Sequence, residues 1–246
     1  FTVPPGKPVI MDGFGHRVKT VVGPHDEGND VLFSCTVTYE KEPPTMSWWT
    51  GTQILKSGAE LHMDGVLRRD LLIRNLTRLH HDMTYTCNVA NNNFTQPIST
   101  SVKLTLNLQP IYVNISSAFK SFTSGQKYEI YCKSGGSIPP ATLSWWLETR
   151  KQYIQAWKDN DVRQNTSVSI LHYTADRMDN GELLHCQAIN PLLGGEPIQN
   201  TLKLLVTYRP VIRISLGDRL NIRNIKERDD IFFECHIDSN PEAKEI

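Results

Sequence analysis

The sequence predicts an all-β chain, two complete β-sandwich domains in tandem arranged as a semi-rigid rod, with a third domain begun and cut short. Three observations predict it: a repeat near 100 residues, cysteines followed by a tryptophan pair at a fixed interval, and short runs alternating apolar with polar residues. In "TMSWWTG" and "TLSWWLE", Trp48 and Trp49 lie 13 and 14 residues after Cys35, and Trp145 and Trp146 lie 13 and 14 after Cys132. With 246 residues and 39% hydrophobic content the chain can bury real cores, and the repeat divides them between small domains.

Read in order, residues 1–5 form a linker from a preceding domain, 6–108 and 109–208 are the two domains, and 209–246 start a further, truncated one. Both ends read as cuts through a longer protein, with neither a charged-then-apolar leader nor a run of about 18 apolar residues between them. "DVLFSCTV" places Val31, Phe33, Cys35 and Val37 on one face of a strand. "QKYEIYCKS" repeats this with Tyr128, Ile130 and Cys132, and "DDIFFECHI" with Ile231, Phe233, Cys235 and Ile237. Each is preceded by a polar turn, "DEGN", "TSGQ" or "KERD"; Arg228 replaces the glycine in the third.

The same alternation puts Met46 with Trp48 and Leu143 with Trp145 on the inner faces, making Trp48 and Trp145 the core tryptophans, while Trp49 and Trp146 point outward. The domains close on "STSVKLTLNLQP" and "NTLKLLVTYRP", where Val102, Leu104, Leu106 and Leu202, Leu204, Val206 alternate with polar residues. The next segment starts at Pro110 or Pro210, so the links are short and proline-bearing; hence the expected rod.

Five cysteines define the compartment. Cys35 and Cys87 are 52 apart, Cys132 and Cys186 are 54 apart, and Cys235 stands where a third unit would have its first cysteine, its partner lying beyond the chain. No C-x-x-C spacing supports zinc or redox chemistry. Wide spacings that span a tryptophan fit a bridge between two sheets, worth ~4 kcal/mol per domain on the chain-entropy model; free buried thiols are the alternative. N-glycosylation sequons occur at Asn75, Asn93, Asn114 and Asn165, and with bridge-spaced cysteines they favour an extracellular or secretory-pathway protein. Lys plus Arg and Asp plus Glu each total 26, so no net field draws nucleic acid or an anionic membrane.

These features are those of immunoglobulin-type sandwiches. Tyr85, two residues before Cys87, is placed to form a tyrosine corner, its hydroxyl bonded to upstream backbone; Leu184 holds that place in the second domain, where Asn180-Gly181 shapes the turn instead. More specifically, "KPVI…VVGPHDEGNDVLFSC", "PPTMSWWTG", "STSVKLTLNLQP", "GGSIPPATLSWW", "HCQAINPLLGG" and "VTYRPVIRISLG…FFECHIDSNP" resemble the Sidestep family of arthropod immunoglobulin-superfamily receptors over nearly the whole chain. The resemblance implies the second and third immunoglobulin domains and the start of the fourth of a type I membrane protein. It implies a Beaten path-type immunoglobulin partner on another cell, and a role in axon guidance and synaptic partner matching. Partner binding in that family is attributed mainly to the first domain, so this segment is expected to be mainly spacer.

Trp49 and Trp146 are the candidate partner-binding residues, since tryptophan is enriched at interface hot spots. The competing reading has each ring lying flat across the cysteine strand as a cross-strand packing element, and it is preferred because both domains share the feature. His80-His81-Asp82, the acids of "HDEGND" at 25–30, and Asp176, Arg177 and Asp179 fall in turns where polar residues and an arginine–aspartate pair are ordinary structure. The loops "NNNFTQP" and "NPLLGGEP" lie at one end of a sandwich, as partner-binding or plain connections. No catalytic motif, metal site, cofactor or small-molecule substrate is expected, and no enzyme. Two other classes stay open: the ectodomain of a receptor kinase or phosphatase, and a secreted immunoglobulin protein of matrix or immunity.

Overall fold

A computed structural model of the chain describes residues 5–92, 95–148, 152–154, 156–161, 165–217, 226–227 and 230–244. The expected linker residues Phe1 to Pro4, the sequon residue Asn93 and the turn residue Arg228 lie outside the described residues. Described strands account for every named element except two short 3-10 turns, Arg78–His80 and Arg177–Asp179. No described helix is long and apolar enough to cross a membrane.

The first compact unit comprises the described residues of 1–110 together with 136–139 and 190–195. Its four-stranded sheet runs in the order Val9–Asp12, Val31–Thr38, Val66–Ile73, Glu60–Met63. Its five-stranded sheet runs Val21–Asp26, Ile98–Asn107, Thr84–Ala90, Thr45–Thr50, Gln53–Leu55, with the first pair parallel. Between them lie Phe33, Trp48, Leu67, Leu71, Tyr85, Leu104 and Leu106, all buried, around the Cys35–Cys87 disulfide with its Cα atoms 6.4 Å apart.

The second unit comprises the described residues of 111–135, 140–189 and 196–246. One sheet orders Tyr112–Ser117, Lys127–Gly135, Thr166–Thr174, Trp157–Asp161; the other Gln152–Ile154, Thr142–Leu147, Leu183–Ile189, Ile198–Lys203. Phe122, Ile130, Leu143, Trp145, Leu171 and Leu204 fill its core around Cys132–Cys186, Cα atoms 6.5 Å apart. Fully burying side chains of this size contributes on the order of 2 kcal/mol each before conformational entropy is charged against it.

Three features differ from the expectations or add to them. First, residues 136–139 and 190–195, within the expected 109–208 segment, group by contact with the first compact unit. Leu108 and Ile138 exchange backbone hydrogen bonds of 2.8 and 3.1 Å, and Asn190 Nδ2 donates to both of their carbonyl oxygens at 2.8 Å. "NPLLGGEP" is thus not a plain connection, for Asn190 is only 1% exposed and its side chain adds a second donor to two carbonyls that already accept from backbone. Second, the run after Cys186 is not one strand: it breaks after Lys203 and resumes as Val206–Leu216, which passes through Pro210 and pairs with Phe233–Asn240. The register shifts between Tyr208 and Val211, where proline cannot donate to the ladder. Third, Ile231 precedes the strand expected to contain it; Phe233 and Cys235 are exposed on that strand.

Candidate functional site

The tryptophan strands set both faces of their sheets. In the first unit Trp48 sits opposite Cys87, and its indole N–H donates across the sandwich to the Arg69 carbonyl at 3.1 Å. Trp49, opposite Thr86 on one side and Ile54 on the other, is half-buried on the outer face. Its Nε1 donates to Ser47 Oγ at 2.8 Å, so its polar edge is satisfied within its own strand. Ile54 beside it is 61% exposed, and Thr86 and Ser101 share a 2.8 Å hydroxyl bond across the next pair. The result is a small apolar spot rimmed by hydroxyls.

In the second unit Trp145 sits opposite Cys186 and donates to Ser169 Oγ at 2.9 Å. Trp146 lies opposite His185 and stacks on it, ring centroids 4.2 Å apart and planes 13° apart. His185 is only 6% exposed, and its Nδ1 is 3.0 Å from Thr201 Oγ1. Among the described residues, Trp146 Nε1 and His185 Nε2 are buried without a hydrogen-bond partner. The two outward tryptophans therefore differ: Trp49 has an open neighbour, whereas Trp146 is capped by a ring.

The polar turns hold the sandwich together. His81 Nδ1 accepts the Leu106 N–H at 3.0 Å, and Asn180 Oδ1 accepts the Val206 N–H at 3.0 Å. Both acceptors sit six residues before their unit's second cysteine, a repeat that sequence reading missed because histidine and asparagine share only the ability to accept. Asp82 pairs with Lys103 Nζ at 2.9 Å, and that hydrogen bond lowers its carboxyl pKa. Glu27 accepts the Arg78 N–H at 3.0 Å, and the Arg78 guanidinium donates to the carbonyls of Gln109 and Gly136. Among the described residues no group of three or more potential metal ligands forms.

Two turn expectations change. The Tyr85 hydroxyl meets Met83 Sδ at 3.8 Å rather than upstream backbone, and burial raises its pKa. Arg177 pairs with Asp238 at 3.8 Å instead of with a neighbouring acid, while Asp176 caps the 3-10 turn through Met178 N and Asp179 accepts from the Tyr173 hydroxyl at 2.9 Å. Sequence reading also passed over Arg68, which forks onto Asp70 at 2.8 and 3.0 Å and reaches the buried Ser34 Oγ at 3.0 Å. Burial opposes the charge on Asp70, and the bonds from Arg68 and Ser34 outweigh it, leaving its pKa below the ordinary value. Of the sequon asparagines, Asn75 and Asn114 are exposed and Asn165 is half-buried, with its Ser167 hydroxyl buried and donating to the Ala141 carbonyl at 2.7 Å.

Each sandwich thus has the bridge, the tryptophan packed beside it and the sheet pairing of one known class. The family described as "Immunoglobulin domain" matches residues 25–100, and "CD80-like C2-set immunoglobulin domain" matches 114–197. These are tandem immunoglobulin-superfamily domains. They are similar to domains of cell adhesion molecules: 30% identity over 135 residues to cell adhesion molecule 2 of Xenopus tropicalis, covering 53% of this chain and 30% of that protein. Cell adhesion molecule 4 of Xenopus laevis is 25% identical over 122 residues, 50% of this chain and 30% of its own length. The matched region thus spans under a third of these curated relatives. Among solved structures, the ectodomain of mouse nectin-like molecule 4 aligns with a TM-score of 0.58 at 20% identity, covering 91% of this chain and 77% of that one. The titin fragment I67-I69 aligns at 0.54 and 17%, covering 96% and 89%. At those identities the structures establish the fold alone, while the sequence relatives mark the domains as cell-adhesion-molecule-like.

Proposed function

We propose that this immunoglobulin tandem is part of the extracellular portion of a cell-surface recognition receptor whose partner is a protein on another cell. The observation that carries the reading is the pairing of two disulfide-bridged sandwiches with relatives named as cell adhesion molecules. The finer reading follows the motifs that resemble the Sidestep family: a type I anchored parent, a Beaten path-type immunoglobulin partner, and a role in axon guidance and synaptic partner matching. In it the segment serves mainly as a spacer, N-glycosylated at Asn75, Asn93, Asn114 and Asn165. Both outward tryptophans suit that role, because one is satisfied by its own strand and the other is covered by His185.

A pairwise screen tests it. Cells displaying individual Beaten path proteins are stained with the chain carrying its preceding domain, and at least one family member should bind. If none does while other immunoglobulin proteins do, the Beaten path assignment is withdrawn and the adhesion-molecule reading stands without it.

A further inference from the structure

We propose that the first unit carries a groove for sulfated polysaccharide, a proposal that rests on the extracellular reading above. After the strand Val9–Asp12 the chain doubles back, and residues 7–10 and 17–19 line a cavity of about 390 Å³ with Thr100. Its cations are Lys7, Arg17 and Lys19, all exposed, and among the described residues no carboxylate lines it. Among the described residues none of the three forms an ion pair, whereas Arg68, Arg69 and Lys103 of the same unit each pair with an acid. The nearest acid in sequence, Asp12, turns its Oδ1 to the backbone N–H groups of Phe14 and His16 at 2.9 and 2.8 Å. Three unneutralised cations around one cavity repel each other and create a positive potential that a polyanion would relieve.

The backbone decides which polyanion. Val18 N donates to the Ile10 carbonyl and Asp12 N to the His16 carbonyl, each at 2.9 Å, and Thr100 Oγ1 donates to the Pro8 carbonyl at 2.7 Å. The hydrogen-bonding edge of the first strand is thus occupied by the returning chain, and an acidic peptide cannot extend the sheet there. What the groove offers is side-chain charge above the aliphatic walls of Pro8, Val9 and Val18. Sulfate groups spaced along a saccharide use that combination: charge for the three cations, and the apolar faces of sugar rings for the walls. The volume lies within the range of ~300–1,000 Å³ typical of ligand clefts.

The test is binding of the purified chain to surface-immobilised heparin across a salt series. The expected result is saturable binding at about 0.15 M salt, lost on chemically desulfated heparin. Lys7→Ser/Arg17→Ser/Lys19→Ser should weaken binding at least tenfold and reduce the slope of log affinity against log salt by about 2–3. The charge-matched control Lys41→Ser/Lys56→Ser/Lys120→Ser should bind as wild type does, with circular dichroism confirming that both variants fold. Absence of wild-type binding, or an equal loss in the control, overturns the proposal. Polyglutamate binding as tightly as heparin overturns it in favour of an acidic peptide. Because no partner cell is involved, failure here leaves the receptor reading to be judged by its own screen.

Discussion

Trp146 lies flat on His185, ring centroids 4.2 Å apart, whereas Trp49 at the same place in the first unit faces Thr86 and leaves Ile54 exposed beside it. The stacked pair contributes cross-strand energy that the Trp49–Thr86 pair lacks. His185→Ala should destabilise the second unit by about 1 kcal/mol, and Thr86→Ala the first by less than about 0.5 kcal/mol. Hydrogen exchange of the amides in Thr142–Leu147 and Thr45–Thr50 reads the two units separately.

The core tryptophans differ in what accepts their N–H. Trp145 depends on the Ser169 hydroxyl, so Ser169→Ala leaves a buried indole donor without its acceptor and should cost about 1–3 kcal/mol, seen as a lower denaturation midpoint and a shifted indole resonance. Trp48 donates to a backbone carbonyl, which no side-chain substitution at Arg69 removes. Arg69→Ala should therefore leave the Trp48 indole resonance in place.

Tyr85→Phe should cost little, under about 0.5 kcal/mol, because its hydroxyl meets only the weak acceptor Met83 Sδ among the described residues. A hydroxyl bonded to backbone, as in a tyrosine corner, would cost about 1 kcal/mol or more on the same substitution. Equilibrium denaturation of the two proteins discriminates.

Asp70 carries a pH dependence whose sign follows from its lowered pKa. Its contribution is fully present above the ordinary aspartate pKa of about 3.9 and is lost as pH falls through the lower folded-state value. Because Arg68 and Asp70 are 41% and 29% exposed, the pair is worth about 0.5–1 kcal/mol. Asp70→Asn should lower stability by that amount at pH 7, and the gap from wild type should close in strong acid, as measured by urea denaturation across pH.

The sandwich was legible because its signals are local and repeated: Phe33, Cys35 and Val37 alternate on one strand, and Cys132 and Trp145 recur at the earlier interval. Legibility fails where partners are distant in sequence. Asn190 reads as a loop residue until its Nδ2 is seen donating to the Leu108 and Ile138 carbonyls, far from it in sequence. Lys7, Arg17 and Lys19 vanish into a net charge of zero, because a sum over the chain does not record that three cations share one cavity without a carboxylate. The strand through Pro210 was missed because proline marks a boundary in sequence, yet a register shift accommodates it within a strand.

The spacer proposal is tested by staining cells that display a partner found in the screen with tetramers of this segment alone, of the segment extended by the domain that the proposal places before it, and of the longer form bearing Trp49→Ala/Ile54→Ser. Soluble heparin is added throughout to occupy the basic groove. The expected result is no staining by the segment, staining by the longer form, and no more than a twofold change in the variant. Staining by the segment itself, abolished by the double substitution with the fold intact, would contradict the spacer reading and make the Trp49–Ile54 face the binding site.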